Sequence, residues 1–512
     1  MEHSDLANHL PVDPGRTAIG ESPKEQIRKS SGATFFSRES NWWLFCLGIV
    51  VLKFVLLAVD SAPKLYLGDS ISYIWTALTG WIPEDRSYFY GFVIRGLTVW
   101  TRSLTPLLIV QAALGAVIAI ALTWICRTSF GLSGRLSYFF GFLCAIDPLQ
   151  LLWERYVMTE TFSLFFYALM LQQSFDYLRR RRITTLVLIQ FLSIMAVGFR
   201  VVYLLAGQIT AVALPFIAFI SETPSLPPPS GVLTRLQFLK RPALWQHLAV
   251  SVCAMVLFDQ SYKHAYGFVA HREPAYLYQS GYFLLTSWAP ALQPQDATDP
   301  RLAKIIEHGN EFGLRDLDLR DSQRFRSGRL IDRWRRVEPD RRKTNDIAAR
   351  TALNAFKRDP AAVIGLAAKT YFLFYNIQNV KRFLTYELGA GTLQPSHVAL
   401  LAERFHWTGP TDIAAEPMTL TRWYYVAAWP YYFLPLLSPL FAVALLVFAR
   451  NKALAWFLFI QTTVMFGVIT LLSMFPIMRY FQSLSLLALF NVALLTRSVL
   501  PKATSASMTE QC

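Results

Sequence analysis

Three arginines in short turns carry the first chemical signal in this sequence. Arg155, Arg200 and Arg479 each lie between two apolar stretches, where a membrane protein makes a tight turn. A guanidinium there either reaches past the lipid to water or holds an anion. Three on hairpins that converge would suit a lipid phosphate, because the planar fork of donors matches phosphate oxygens. Carboxylates collect in the same parts of the chain: Asp69 in Gly68-Asp-Ser-Ile-Ser-Tyr73, Glu84 and Asp85 soon after, then Asp147, Glu154 and Glu160. Acids beside arginines could take a proton from a hydroxyl while a phosphate is held. Each acid also has a plainer reading, as a helix cap or a solvated loop charge; Asp69 before Ser-Ile-Ser-Tyr would cap a helix. Asp60, at the end of the first apolar stretch, stays open as a further candidate. Lys53, inside that stretch, either snorkels or pairs with an acid. Trp75, Trp81, Tyr88 and Tyr90 would stack on a sugar, and are equally at home as membrane-interface anchors.

The elements that position these residues follow from composition. Of 512 residues, 54% are apolar and 16% are charged, against about 25% charged in a soluble domain. The mean hydropathy is +0.33. A soluble enzyme, a disordered chain and a disulfide-stapled secreted domain are excluded; an all-α, multi-pass membrane protein remains. The net charge of +15 then reads as orientation rather than as a nucleic-acid surface. The cysteines have no CxxC or His-Cys spacing and the histidines no ligand spacing, so neither a disulfide framework nor a metal site is expected. No Rossmann or Walker glycine pattern is present. No cofactor is expected, and a divalent cation near the acids is not indicated.

A span needs about 20 mostly apolar residues. Ten candidates are 42–59, 104–126, 136–150, 157–178, 183–199, 201–220, 244–258, 424–448, 453–474 and 477–498. Ten spans put Arg127, Arg135, the run Arg179 to Arg182, Arg235, Lys240, Arg241, Arg450, Lys452, Arg497 and Lys502 on one side with both termini. The positive-inside rule makes that side cytoplasmic. Residues 1–41 read as a disordered cytoplasmic tail and 501–512 as a second short tail. Residues 42–258 form a transmembrane module with a first outward loop at 60–103. Residues 259–423 form an outward soluble and interfacial region, and 424–500 hold the last spans. The stretches 276–292 and 361–379 are apolar enough to enter the membrane; 361–379, interrupted by Lys369, reads as an interfacial helix. The segments 301–312 and 344–358 read as solvated helices, and Pro224 to Pro229 as a cytoplasmic loop.

On these motifs the sequence resembles the GT-C superfamily of membrane glycosyltransferases, which includes protein O-mannosyltransferases, lipid A aminoarabinose transferases and lipopolysaccharide-core glycosyltransferases. The resemblance rests on Gly68-Asp-Ser-Ile-Ser-Tyr73 after the first span, Arg86-Ser-Tyr-Phe-Tyr-Gly-Phe92, Asp147-Pro-Leu-Gln-Leu-Leu-Trp-Glu-Arg-Tyr-Val-Met-Thr-Glu160, Gly198-Phe-Arg200, Asn354-Ala-Phe-Lys-Arg-Asp-Pro360 and Arg479-Tyr480. Gly91 stands where the family often has a proline. It implies a helical bundle with juxtamembrane helices in the first outward loop. It also implies a sugar donor on a polyprenyl phosphate, drawn from the bilayer. The family's first-loop acid falls on Asp69; Glu84, Asp85 and Asp147 compete for the second. The expected reaction is single-displacement transfer with inversion on the outer face, to a glycolipid, a glycan or a protein. Asp69 would be the base, and Arg155, Arg200 and Arg479 would hold the leaving phosphate. Tyr73, Arg86, Tyr88, Glu160 and Tyr480 would line the substrates. Two rival readings are an O-antigen-type polymerase or ligase and a lipid-linked glycan transporter. The first usually lacks an acid in a long first outward loop. The second should show repeated halves or helices broken at the midplane, and the sequence has no internal repeat. A non-catalytic scaffold would need no ring of acids and arginines.

Overall fold

A computed structural model describes residues 23–66, 68–220, 239–474 and 477–500, with side chains from 41 onward. Residues 1–22, the Pro224 to Pro229 loop, Arg235, Lys502 and Cys512 lie outside the described residues. The chain divides into two units, up to Gly48 and from Ile49 on. In the first, the backbone is helical from Pro23, within the stretch read as tail, and this helix continues to Val59. In the second, all regular structure among the described residues is helical, apart from isolated bridges such as Lys64 with Tyr156.

Six helices are long and apolar enough to cross a membrane: Asn41–Val59, Thr105–Thr128, Val201–Ile220, Pro242–Ala270, Lys452–Leu472 and Met478–Val499. A seventh crossing is available if Trp429–Leu436 and Ser438–Phe448, bent by 48°, act as one. The chain is therefore an all-α, multi-pass membrane protein. The other three expected spans are helices that fall short of this length or apolarity. Gly134–Ala145 has 12 residues, about 18 Å at 1.5 Å per residue against a core of about 30 Å. Ile183–Phe199 has 17 residues, and Glu160–Arg180 is charged at both ends.

Local sequence explains where these helices start. Pro106, Pro148, Pro242 and Pro360 each occupy a first turn, where a missing N–H costs nothing. Asn451 accepts a hydrogen bond from the Leu454 N–H and so caps Lys452–Leu472. Between spans, where lipid is as apolar as the side chains, polar contacts do the joining. Gln461 donates to Thr210 at 2.7 Å and accepts from the Tyr167 hydroxyl at 3.1 Å. Asn491 donates to Thr462 at 3.1 Å.

Lys53 resolves its two readings in favour of an acid. Its ammonium donates to Glu154 Oε1 at 2.6 Å, and both side chains are fully buried. Gly115 makes the pair possible, because a Cβ there would collide with the Glu154 carboxylate. Removing one partner of a buried pair strands the other, at about 3–5 kcal/mol. Lys53→Met should lower the thermal midpoint of the purified protein strongly, and Lys53→Met with Glu154→Gln should recover most of the loss. A single variant as stable as wild type would mean the pair is not formed.

The 276–373 part of the chain has its own core. Residues 276–292, flagged as a stretch that could enter the membrane, contribute Tyr282, Leu285, Trp288 and Leu292 to it. The helices read as solvated are so on one face only: Pro300–Glu307 adds Leu302 and Ile306, and Arg341–Arg358 adds Ile347, Ala348 and Ala352. The apolar stretch expected at the interface is the 14-residue helix Pro360–Leu373, which adds Val363 to the same core.

Candidate functional site

Asp69 opens the helix Asp69–Thr79 and does not cap it. The capping position belongs to Gly68, at φ 60°, and no side chain caps this end. That conformation favours glycine. The helix start is pinned by Ser70, whose hydroxyl accepts from Tyr66 N at 2.7 Å and donates to Val157 O at 3.0 Å. The Asp69 carboxylate is thereby turned to arginines from distant segments. Arg86 Nη1 lies 2.5 Å from Oδ1 and Arg479 Nη1 lies 3.2 Å from Oδ2.

Glu160, at the start of Glu160–Arg180, extends this pair into a chain. Its Oε1 lies 3.3 Å from Arg479 Nε and accepts from Arg200 Nη1 at 3.2 Å. Arg86, Asp69, Arg479, Glu160 and Arg200 thus alternate in sign. Arg479 also stacks over Tyr66 and Tyr480 at 4.7 and 5.3 Å, and Arg200 covers Tyr480 at 5.2 Å. Asp69 is the most open of the five, with 26% of its side chain exposed against 1% for Glu160. Of the two carboxylates in the row, Asp69 is therefore the one that solvent reaches.

Several expected residues stand around this row. Tyr73, one helical turn after Asp69, is buried against Tyr90 at 5.1 Å between centroids. Burial, with the Asp69 charge, pushes its hydroxyl well above the ordinary tyrosine value. Tyr88 stacks on Tyr266 at 4.8 Å, and burial raises its hydroxyl to about 12. It forms the seam between the first loop and the helix Pro242–Ala270. Asp85 holds Arg86 through two 2.9 Å hydrogen bonds. Burial alone would raise Asp85, but Arg86 and Arg324 outweigh it and hold the carboxyl below its ordinary value. Gly91 packs where a Cβ would collide with the Thr76 side chain, so no proline fits there.

Other expected residues lie elsewhere. Asp147 does cap a helix: it accepts from Leu149 N at 2.9 Å and from the Ser485 hydroxyl at 2.5 Å. Arg155 is buried 3.8 Å from Glu154, with no hydrogen bond from its guanidinium, whereas Arg200 and Arg479 pair with Glu160. Glu84 accepts from Arg272 at 2.6 Å and Gln279 at 2.7 Å, tying the first loop to the 259–423 region. Asp60 accepts from Thr419 at 2.7 Å.

Sequence reasoning missed Glu387. Its buried carboxylate accepts from the backbone N–H of Met478, from that of Arg479 at 3.1 Å, and from the Tyr425 hydroxyl. It fixes the turn that aims Arg479. A lone acid in Leu384-Thr-Tyr-Glu387-Leu388 gives no spacing signal; only the fold brings it to residue 478. Burial, against these donors and the Arg479 charge, pushes Glu387 from 4.5 to about 7. A carboxyl raised on folding stabilises the fold below its unfolded value, and that contribution is lost as pH rises through the folded one. The thermal midpoint should therefore fall from about pH 5 to pH 7, and this fall should be absent in Glu387→Gln. Glu84 and Asp85, held low, lose their contributions only below their ordinary range.

A cavity of about 480 Å³ opens on another face of the Asp69–Thr79 helix, lined by Gly68, Ile71, Ser72, Trp75 and Trp81 and by Thr392 to Gln394 and His397, with none of the five row residues in its lining. Both tryptophans are partly exposed in it. Among the described residues no group of His, Cys, Asp or Glu is arranged to hold a metal ion. Comparison with protein-family models, curated proteins and solved structures finds no match for this chain.

Proposed function

We propose that the protein is a membrane glycosyltransferase that moves a sugar from a polyprenyl-phosphate donor to a hydroxyl of a glycolipid, glycan or protein acceptor. The observation that carries this reading is the row Arg86, Asp69, Arg479, Glu160 and Arg200, with its most exposed member a carboxylate. The first loop, the 200 turn and the last hairpin all contribute to it.

In this mechanism Asp69 takes the proton from the acceptor hydroxyl. The hydroxyl oxygen attacks the anomeric carbon from the side opposite the phosphate, and the carbon–oxygen bond to phosphate breaks. The anomeric configuration inverts, through an oxocarbenium-like transition state. The leaving phosphate carries the electron pair away, held by Arg200 and Arg479. Arg479 contacts both Asp69 and Glu160, so the base and the phosphate site share one guanidinium. The cavity with Trp75 and Trp81 would receive sugar rings, whose C–H faces stack on indoles. In the proposed orientation the row faces the periplasm or exterior.

The experiment is mass spectrometry of envelope glycolipids and glycans from wild type, a deletion strain, and the deletion carrying Asp69→Asn at equal membrane levels. Loss of one sugar mass in both altered strains is expected. Unchanged glycans in the deletion would overturn the assignment to envelope glycans.

A further inference from the structure

The first loop and the 259–423 region meet at a second cluster of arginines, which joins the row at Arg86. Asp85 is held by Arg86 at 2.9 Å and by Arg324 at 3.6 Å. Its neighbour Glu84 is already shared by Arg272 at 2.6 Å and Arg341 at 3.7 Å. Asp69 is shared by Arg86 and Arg479. The carboxylates at this seam are thus used twice each, and positive charge is left over.

The surplus falls on Arg324 and Arg335. The side chain of Arg324 is 3% exposed. It stacks on Phe283 at 3.5 Å and donates one hydrogen bond, from Nη2 to Gln279 at 3.1 Å. Its Nε and Nη1 are buried with no hydrogen-bond partner, and so is Nε of Arg335, whose guanidinium lies over Tyr282 at 4.7 Å. Buried donors without acceptors cost about 1–3 kcal/mol each, and more when charged. Burial, together with the charges of Arg335 and Arg86, lowers Arg324 to about 10 even though Asp85 opposes the shift. Crowded guanidiniums with free N–H groups are complementary to an oxyanion.

We propose that Arg86, Arg324 and Arg335 form a second anion site, which takes a phosphate or carboxylate group on a saccharide acceptor. This deepens the transfer reading and rests on it for the identity of the ligand as acceptor. Arg86 bonds both Asp85 and Asp69, so an anion at this seam sits one guanidinium away from the proposed base. The acceptor hydroxyl would be held near Asp69 by a charge elsewhere on the same molecule. The site accordingly selects anionic over neutral saccharides.

The test uses the full-length protein in detergent micelles at fixed ionic strength, with the thermal midpoint as readout. The probes are glucose 6-phosphate, glucuronic acid, neutral glucose and undecaprenyl phosphate. Wild type should be stabilised by the two anionic sugars and not by glucose. Arg335→Gln and the milder Arg324→Lys should weaken the anionic sugars at least about tenfold, the value of one charged hydrogen bond, while leaving the response to undecaprenyl phosphate intact. Arg200→Gln should show the reverse pattern. The proposal is overturned if both variants respond to the anionic sugars as wild type does. It is equally overturned if wild type ignores those sugars, or if the variants lose undecaprenyl phosphate instead, which would assign the site to the donor. If Arg335 governs the sugar response while the deletion strain keeps every envelope glycan, the anion site stands and the reading of envelope-glycan transfer falls.

Discussion

Asp69→Asn should slow sugar transfer by about 10²–10⁴-fold, the usual cost of losing a positioned general base. The amide keeps the size of the carboxyl, and its oxygen can still accept from Arg86 or Arg479. The helix start is pinned by Ser70 rather than by Asp69, so the fold should survive. What the amide lacks is a lone pair basic enough to take the hydroxyl proton. Asp69→Glu keeps that basicity but displaces it by one methylene, and should fall between wild type and Asn. The measurement is the initial rate of transfer in membranes with equal amounts of protein, beside the thermal midpoint of each purified variant. A wild-type rate in Asp69→Asn would remove Asp69 as the base and shift the role to another acid.

Much of the fold was legible because its signals are local. The apolar runs that form the six long helices, and the plain reading of an acid such as Asp147 as a helix cap, rest on neighbours in sequence. The number of full-length crossings was less so. The apolar stretch at 136–150 is interrupted by the cap at Asp147, which ends one helix at Ala145 and starts another at Pro148. Apolarity at 276–292 comes from a buried core rather than from lipid, and a window of hydropathy cannot separate the two. The arginine turns at 200 and 479 converge on Glu160. Arg155 does not join them, although it occupies the same kind of turn. Its backbone pairs with Lys64, the Lys64 N–H donating to Arg155 O at 2.8 Å, and its side chain faces Glu154. Glu387 and Arg324 had no local signal: Tyr425 and Met478, which bond Glu387, lie 38 and 91 residues away, and Arg324 reaches Gln279 and Asp85 in other segments.

Arg479→Gln should cost about 10²–10³-fold in transfer rate, the loss seen when one donor to a developing negative charge is removed. The loss should exceed that of Arg200→Gln for a reason visible in the contacts. Arg200 bonds Glu160, whereas Arg479 touches both Asp69 and Glu160 and stacks on Tyr66. Removing Arg479 therefore weakens the hold on the phosphate and also leaves Asp69 with Arg86 alone. Arg479→Lys restores charge but not the fork, so it should recover only part of the rate. Glu387→Gln should resemble a mild form of the same defect, because that carboxylate fixes the backbone of residues 478 and 479. The two kinds of loss separate kinetically. A weaker phosphate grip lowers the rate at saturating donor, whereas a misaimed Arg479 that still holds charge raises the donor concentration needed for half-maximal rate. Equal rates in Arg479→Gln and wild type would break the link between the arginine row and the leaving group.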